Sequence, residues 1–218
     1  MPKSKAKRRK KRGTSQSSDI SWGGKASPGA RRINIVLGAI VLGVAVAGGA
    51  YWFLGAQSER AFQAIADQGR AGLSAAVITN RNDGPGHGEH GAAYAYDGQF
   101  PTSGRHDPVP TSPGVYRVPL RPGQLVHALE HGHVVIYYDT PEPDALATLK
   151  DWAGLYDGQW DGVVVAPMDG LGRDLVLTAW TKTLRLRAFD AADAALVAAF
   201  IDAYRGRGPE HPVRVDLE

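Results

Sequence analysis

Residues 125–138 read LVHALEHGHVVIYY and join a short predicted helix to a predicted strand. Leu125 and Leu129 give the helix an apolar side, and the β-prone residues 134–138 follow it directly. Gly132 stands where a helix can end in a left-handed conformation. The stretch therefore predicts a short helix that ends directly before a strand.

The same stretch carries the candidate chemistry. His127 and His131 lie four residues apart, on the helix face away from Leu125 and Leu129. Glu130 lies beside them as a ligand or as a group that orients an imidazole. Two imidazoles and a carboxylate on one short helix are an arrangement that a transition metal can use.

Outward from this stretch, helical and strand patterns alternate. Thr140, Pro141 and Glu142 favour a helix start, and the apolar run 163–167 is typical of a strand covered on both faces. We predict the order strand, helix, strand, helix, strand, strand, helix. This order corresponds to an α+β domain with a mixed four-stranded sheet and flanking helices.

The N-terminal region has the pattern of a membrane anchor. No charged residue occurs from Ile33 to Ser58, a length that suffices to cross a bilayer. Of the 25 Lys and Arg residues, 11 precede this stretch against the single acid Asp19, so the positive-inside rule predicts a cytoplasmic N-terminus. A cleaved signal peptide, with Ala45–Ala47 as its small-residue site, is the alternative.

These features predict a single-pass inner (plasma) membrane protein whose C-terminal domain is periplasmic or extracellular. The predicted partners are the lipid bilayer and either an envelope complex or a second copy of the membrane helix; no nucleic acid is expected. The chain has no cysteine, which excludes disulfides and thiolate metal sites. The predicted parts are a basic tail (1–32), a transmembrane helix (33–55), a helical stalk and linker (56–84) and the exported domain (85–218).

Further histidines lie in two irregular segments before the helix. His87 and His90 belong to the glycine-rich loop 81–91, and His106 belongs to the proline-rich segment 99–119. The extended proline-rich segment is expected to wrap the domain, so His106 or His90 would complete a metal shell with His127 and His131. We expect His87 to be solvated, because a mobile loop makes a poor preorganised ligand.

The motifs resemble a known family. Thr102–Pro108, Gly114–Tyr116 and His127–Gly132 are similar to the pattern of the uncharacterised bacterial family catalogued as domain of unknown function 3105. The resemblance covers about residues 85–211 and extends to the dipeptide 209–210. It implies one N-terminal membrane segment and an exported domain, and it implies no activity. It also aligns His90 with an earlier histidine of the family.

Three functions are consistent with these residues. The first is a metal site formed by His90, His106, His127, Glu130 and His131, for which zinc and copper are the candidate ions. The second is a metal-dependent hydrolase, because residues 127–131 fit the zinc-peptidase pattern H-x-x-E-H, although none of the downstream glutamates lies in a helix that would supply a third ligand. The third is a non-catalytic docking module whose histidines only hydrogen-bond the proline-rich segment.

Overall fold

The computed structural model describes residues 28–187 and 189–214, so most of the predicted basic tail lies outside it. The chain divides into two compact units between Gly49 and Ala50. The first described element is a long helix, α1 (Pro28–Ala76). Within the described residues, it is the one helix long and apolar enough to cross a membrane, and its side chains at positions 41–50 and 52–54 are exposed.

Short strands and helices follow α1 in the described residues. They are β1 (Ile78–Thr79), β2 (Gly114–Val115), α2 (Pro122–Glu130), β3 (Val134–Tyr138), α3 (Pro143–Leu155), β4 (Val163–Pro167), β5 (Leu175–Ala179), β6 (Lys182–Leu186) and α4 (Ala191–Tyr204). The capping box of Asp190 and Asp193 begins α4, because each side chain reaches the other residue's backbone N–H.

The strands form one mixed sheet in the order β1-β6-β5-β3-β4-β2. β3 and β2 run parallel to β4, whereas β5 and β6 form an antiparallel hairpin beside β3. The α+β class is confirmed, and the predicted four strands are wrong, because the sheet has six. Three strands separate α3 from α4 where two were predicted, and the two-residue β1 is too short to leave a periodic pattern.

Alternation along β3 separates two apolar layers. Val134, Ile136 and Tyr138 face a core shared with α3, α4 and the second half of α1. Val135 and Tyr137 face the opposite side, where α2 packs. Helix α2, which carries His127, therefore lies on the other side of the sheet from the larger helices.

The end of α1 belongs to this core rather than standing apart from it. Phe62 and Ala66 are fully buried there. Gly69 permits a close crossing with α4, because a Cβ at this position would lie 2.1 Å from the carbonyl oxygen of Ala195.

Candidate metal centre

The helix α2 presents two buried imidazoles. Leu125 and Leu129 are buried against the sheet, which turns the face bearing His127 and His131 away from it. The exposed fractions of His127 and His131 are 4% and 6%, and their ring centroids lie 4.7 Å apart. As predicted, both rings lie on the same face of the helix.

Two extended segments bring further imidazoles to this face. His87 and His106 form an isolated parallel β-bridge, in which the amide of Gly88 donates to the carbonyl of His106 at 2.7 Å. The amide of His106 in turn donates to the carbonyl of Gly86 at 2.9 Å. The backbone around His87 is therefore paired, while its side chain remains exposed to solvent, at 48%.

Four side chains converge in what we call the inner cluster: His87, His106, His127 and Glu130. Their ligand atoms all lie within 4.8 Å of one another. Glu130 Oε2 is 2.9 Å from His106 Nε2 and 3.4 Å from His87 Nε2. Apart from His87, the members are nearly inaccessible to solvent. Small side-chain adjustments would bring such atoms to the ligand bonds of about 2 Å that zinc makes with nitrogen and oxygen.

Backbone carbonyls fix the tautomers of two of these rings. His106 Nδ1 is 2.7 Å from the carbonyl oxygen of Gly104, and His127 Nδ1 is 2.7 Å from that of Asp107. A carbonyl oxygen only accepts, so each Nδ1 carries a hydrogen and each neutral ring has its lone pair on Nε2. Burial lowers the pKa of His127, and the nearby imidazoles add to this effect, so its ring is neutral at pH 7.

A second group, the outer cluster, shares one member with the first. It consists of His127, His131 and Glu210, whose ligand atoms also lie within 4.8 Å of one another. Glu210 Oε2 is 3.0 Å from His131 Nε2 and 3.9 Å from His127 Nε2. A carboxylate near His127 and His131, which the H-x-x-E-H pattern lacked in the sequence, thus comes from the irregular C-terminal segment. Glu130, by contrast, is turned towards His106.

The structure places His90 outside both clusters. Its Nδ1 donates to Oδ1 of Asp107 at 2.8 Å, and the amide of Val109 donates to the same oxygen. The other oxygen of this carboxylate, Oδ2, accepts from the amide of Gly91 and from the guanidinium of Arg121. Burial raises the pKa of Asp107, but the hydrogen bonds from Gly91, His90 and Val109 outweigh it and lower the pKa to about 2. This buried anion joins the glycine-rich loop to the proline-rich segment.

His133 has a structural environment. Its Nε2 lies 2.8 Å from the carbonyl oxygen of Gln159, and burial lowers its pKa to about 4. The ring is therefore a neutral donor to the segment after α3.

Sequence reasoning did not include His87 or Glu210 among the ligands. Neither residue follows a helical or strand period, and each reaches the site only through backbone contacts between distant segments. Two signals pointed to Glu210: its place in the resemblance, and the glycines Gly206 and Gly208 before it, which allow close backbone approach.

Comparison with known proteins gives one result. A family model described as a protein of unknown function (DUF3105) matches residues 87–215, which include all members of both clusters. No curated protein and no solved structure matches the chain.

Proposed function

Because the chain belongs to this family of unknown function (DUF3105), its activity has to be inferred from the site, and we propose that the inner cluster binds one transition metal ion, zinc or copper. The observation that carries the proposal is the pair of carbonyl contacts that leaves lone pairs on Nε2 of His106 and His127. Metal-binding histidines are held in the same way, with the other ring nitrogen donating to a carbonyl or carboxylate.

The contact between His106 and Glu130 supports the same proposal. With Nδ1 of His106 protonated, its Nε2 and the Glu130 carboxylate would be two acceptors only 2.9 Å apart. Two acceptors at that distance repel each other unless a cation, either a proton or a metal ion, interacts with both. The inner cluster is thus arranged around a positive charge.

The ligand types narrow the choice of ion. Three imidazoles and one carboxylate suit zinc and copper, whereas calcium and magnesium prefer oxygen ligands alone. Four protein ligands form the closed tetrahedral shell that is typical of tightly held zinc.

The apolar part of α1 supports a location for this site. We propose that α1 anchors the protein in the inner (plasma) membrane with a cytoplasmic N-terminus, so that the metal site lies in the periplasm or outside the cell. The bilayer is then one partner. A metal-binding domain held there is suited to metal handling or to the assembly of an envelope complex.

Metal analysis of the purified full-length chain tests the proposal. The chain, carrying an affinity tag without histidine, is purified in detergent, treated with chelator, incubated with zinc or copper and desalted. We expect one ion per chain by mass spectrometry. The variant His106→Ala should bind it more weakly than the wild type, whereas His211→Ala should keep the wild-type affinity, because His211 belongs to neither cluster.

A chain that stays metal-free after incubation with either ion would overturn the proposal. The histidines would then be hydrogen-bonding groups that fix the proline-rich segment, and the domain would be a docking module. Circular dichroism of His106→Ala distinguishes loss of a ligand from loss of the fold.

A further inference from the structure

The outer cluster differs from the inner one in the number of its ligands, whereas each cluster has one exposed member. It offers two imidazoles and one carboxylate, against three imidazoles and one carboxylate in the inner cluster. The side chain of Glu210 is 38% exposed, whereas those of His127 and His131 are nearly buried. Three protein ligands with an open fourth position are the pattern of sites at which water or another molecule can reach the metal.

Backbone contacts fix the position of Glu210. The amide of Gly206 donates to the carbonyl of Gly132 at 2.8 Å, and that of Glu210 donates to the carbonyl of Glu130 at 3.3 Å. A Cβ at Gly208 would lie only 2.0 Å from the carbonyl oxygen of Glu130. The C-terminal segment is therefore fitted against the end of α2, and this contact brings the Glu210 carboxylate to His131.

The tautomer of His131 is not fixed by a backbone carbonyl in the described residues, unlike that of His127. The ring of His131 packs on Trp160 with the centroids 4.2 Å apart. Its Nδ1 is buried without a hydrogen-bond partner among the described residues, whereas a carbonyl fixes the tautomer of His127. The proton of His131 can therefore sit on Nδ1, which leaves Nε2 free to bind a metal ion beside Glu210.

Both clusters depend on the same atom. Because Nδ1 of His127 is bonded to a carbonyl, its Nε2 is the nitrogen available to either cluster. One lone pair binds one ion, so the two clusters compete for it.

We propose that the outer cluster is a second, alternative position for the same ion, open to solvent, through which the inner cluster is loaded and unloaded. The proposal rests on metal binding by the inner cluster. His127 stays bound while the ion exchanges His131 and Glu210 for His87, His106 and Glu130. A water molecule completes the shell in the outer position. The ligand is a divalent transition ion that accepts imidazole and carboxylate.

Cobalt(II) is a suitable probe for the test, because its absorption reports coordination number. Wild-type chain in detergent should bind one cobalt ion. The variant His87→Ala/Glu130→Gln removes two inner ligands. His87 is half-exposed, and glutamine has the same shape as Glu130, so both substitutions should leave the fold intact. It should still bind one cobalt ion, with a changed spectrum and an affinity about 10- to 100-fold lower. Adding Glu210→Gln should weaken binding by at least about a further 10-fold.

Exchange kinetics give a second test in a chain whose inner cluster is intact. Glu210→Gln alone should slow the transfer of cobalt to an excess of chelator by about 10-fold, with much less effect on equilibrium affinity. Glu142→Gln, which changes an exposed glutamate paired with Arg173, is the matched control and should exchange at the wild-type rate.

The outcomes separate the two proposals. A wild-type chain that binds no metal overturns the proposed function and this inference together. Alternatively, the wild type binds one ion while Glu210→Gln changes neither the cobalt affinity of the double variant nor the exchange rate of the chain with an intact inner cluster. That result overturns the outer position alone. Binding of two ions by wild type overturns the competition for His127.

Discussion

The position of a single proton makes His127 the central residue of the site. Its Nδ1–H donates to the carbonyl of Asp107, so its Nε2 is available to both clusters. We expect His127→Ala to lower metal affinity by at least about 100-fold, more than the substitution of any ligand that belongs to one cluster. His87→Ala should cost less, because His87 is half-exposed and absent from the outer cluster.

Isothermal titration of the full-length chain with zinc measures both effects. His211→Ala provides the control, since its ring contacts Trp160 but belongs to neither cluster. An affinity of His127→Ala within a few-fold of wild type would mean that the ion is bound elsewhere.

The side chain of Asp107, in contrast to its carbonyl, is expected to contribute to stability rather than to metal binding. It is buried and ionised, and it receives hydrogen bonds from His90, Gly91, Val109 and Arg121. We expect Asp107→Asn to lower the free energy of unfolding at pH 7 by about 2 kcal/mol, the scale of hydrogen bonds to a buried charge. Urea unfolding followed by tryptophan fluorescence measures it.

The same residue predicts a pH dependence. The pKa of Asp107 is lowered from 3.8 to about 2 on folding, so its contribution is complete above about pH 4 and is lost as the pH falls towards 2. The difference in stability between wild type and Asp107→Asn should shrink over that range. Asp97→Asn is the control, because the Asp97 side chain is 93% exposed. A difference that stays constant down to pH 2 would contradict the assignment.

Among the elements, the crossing of α1 and α4 gives the sharpest stability prediction. Gly69→Ala would place a Cβ 2.1 Å from the carbonyl oxygen of Ala195, and that clash outweighs the gain in helix propensity of about 1 kcal/mol. We expect a net loss of about 1–3 kcal/mol in the free energy of unfolding. Gly72→Ala should be neutral or stabilising, because its Cβ would make an ordinary contact at 3.5 Å with Leu196.

Urea unfolding of the two variants compares equal chemical changes three residues apart in one helix. Equal effects would show that α4 does not approach α1 at Gly69. The sequence alone predicts that both glycines weaken the helix, because helix propensity depends only on local sequence. The close approach of α4 at Gly69 depends on the tertiary structure.

The elements with a strong period were the predictable ones. The leucines of α2 and the apolar runs of β3 and β4 predicted their types, and the pairing of His127 with His131 followed from helical spacing. The strand β1 has two residues and is defined by a partner remote in sequence. For the same reason the positions of His87 and Glu210 depend on tertiary contacts, which one sequence does not display.

At the scale of the whole molecule, α1 predicts behaviour in membranes. The full-length chain should sediment with membranes, resist extraction by carbonate and dissolve in detergent. The double variant Val44→Arg/Ala47→Arg should be released, because each arginine at a helix centre costs about 2.5–3.5 kcal/mol of insertion. Val44→Leu/Ala47→Leu is the matched control and should stay in the membrane. Carbonate release of the wild type would contradict anchoring.

The short pairing between the backbones of residues 87 and 106 has a consequence for the protein without its ion. Coordination there would fasten segments remote along the chain, such as His106 and Glu130, which are 24 positions apart. Such a metal-mediated cross-link restricts the unfolded chain much as a covalent one does, but it is lost when the metal dissociates. Loss of the ion would then loosen the glycine-rich loop first. Limited proteolysis should therefore show more cleavage near Gly84–Gly91 with chelator than without it.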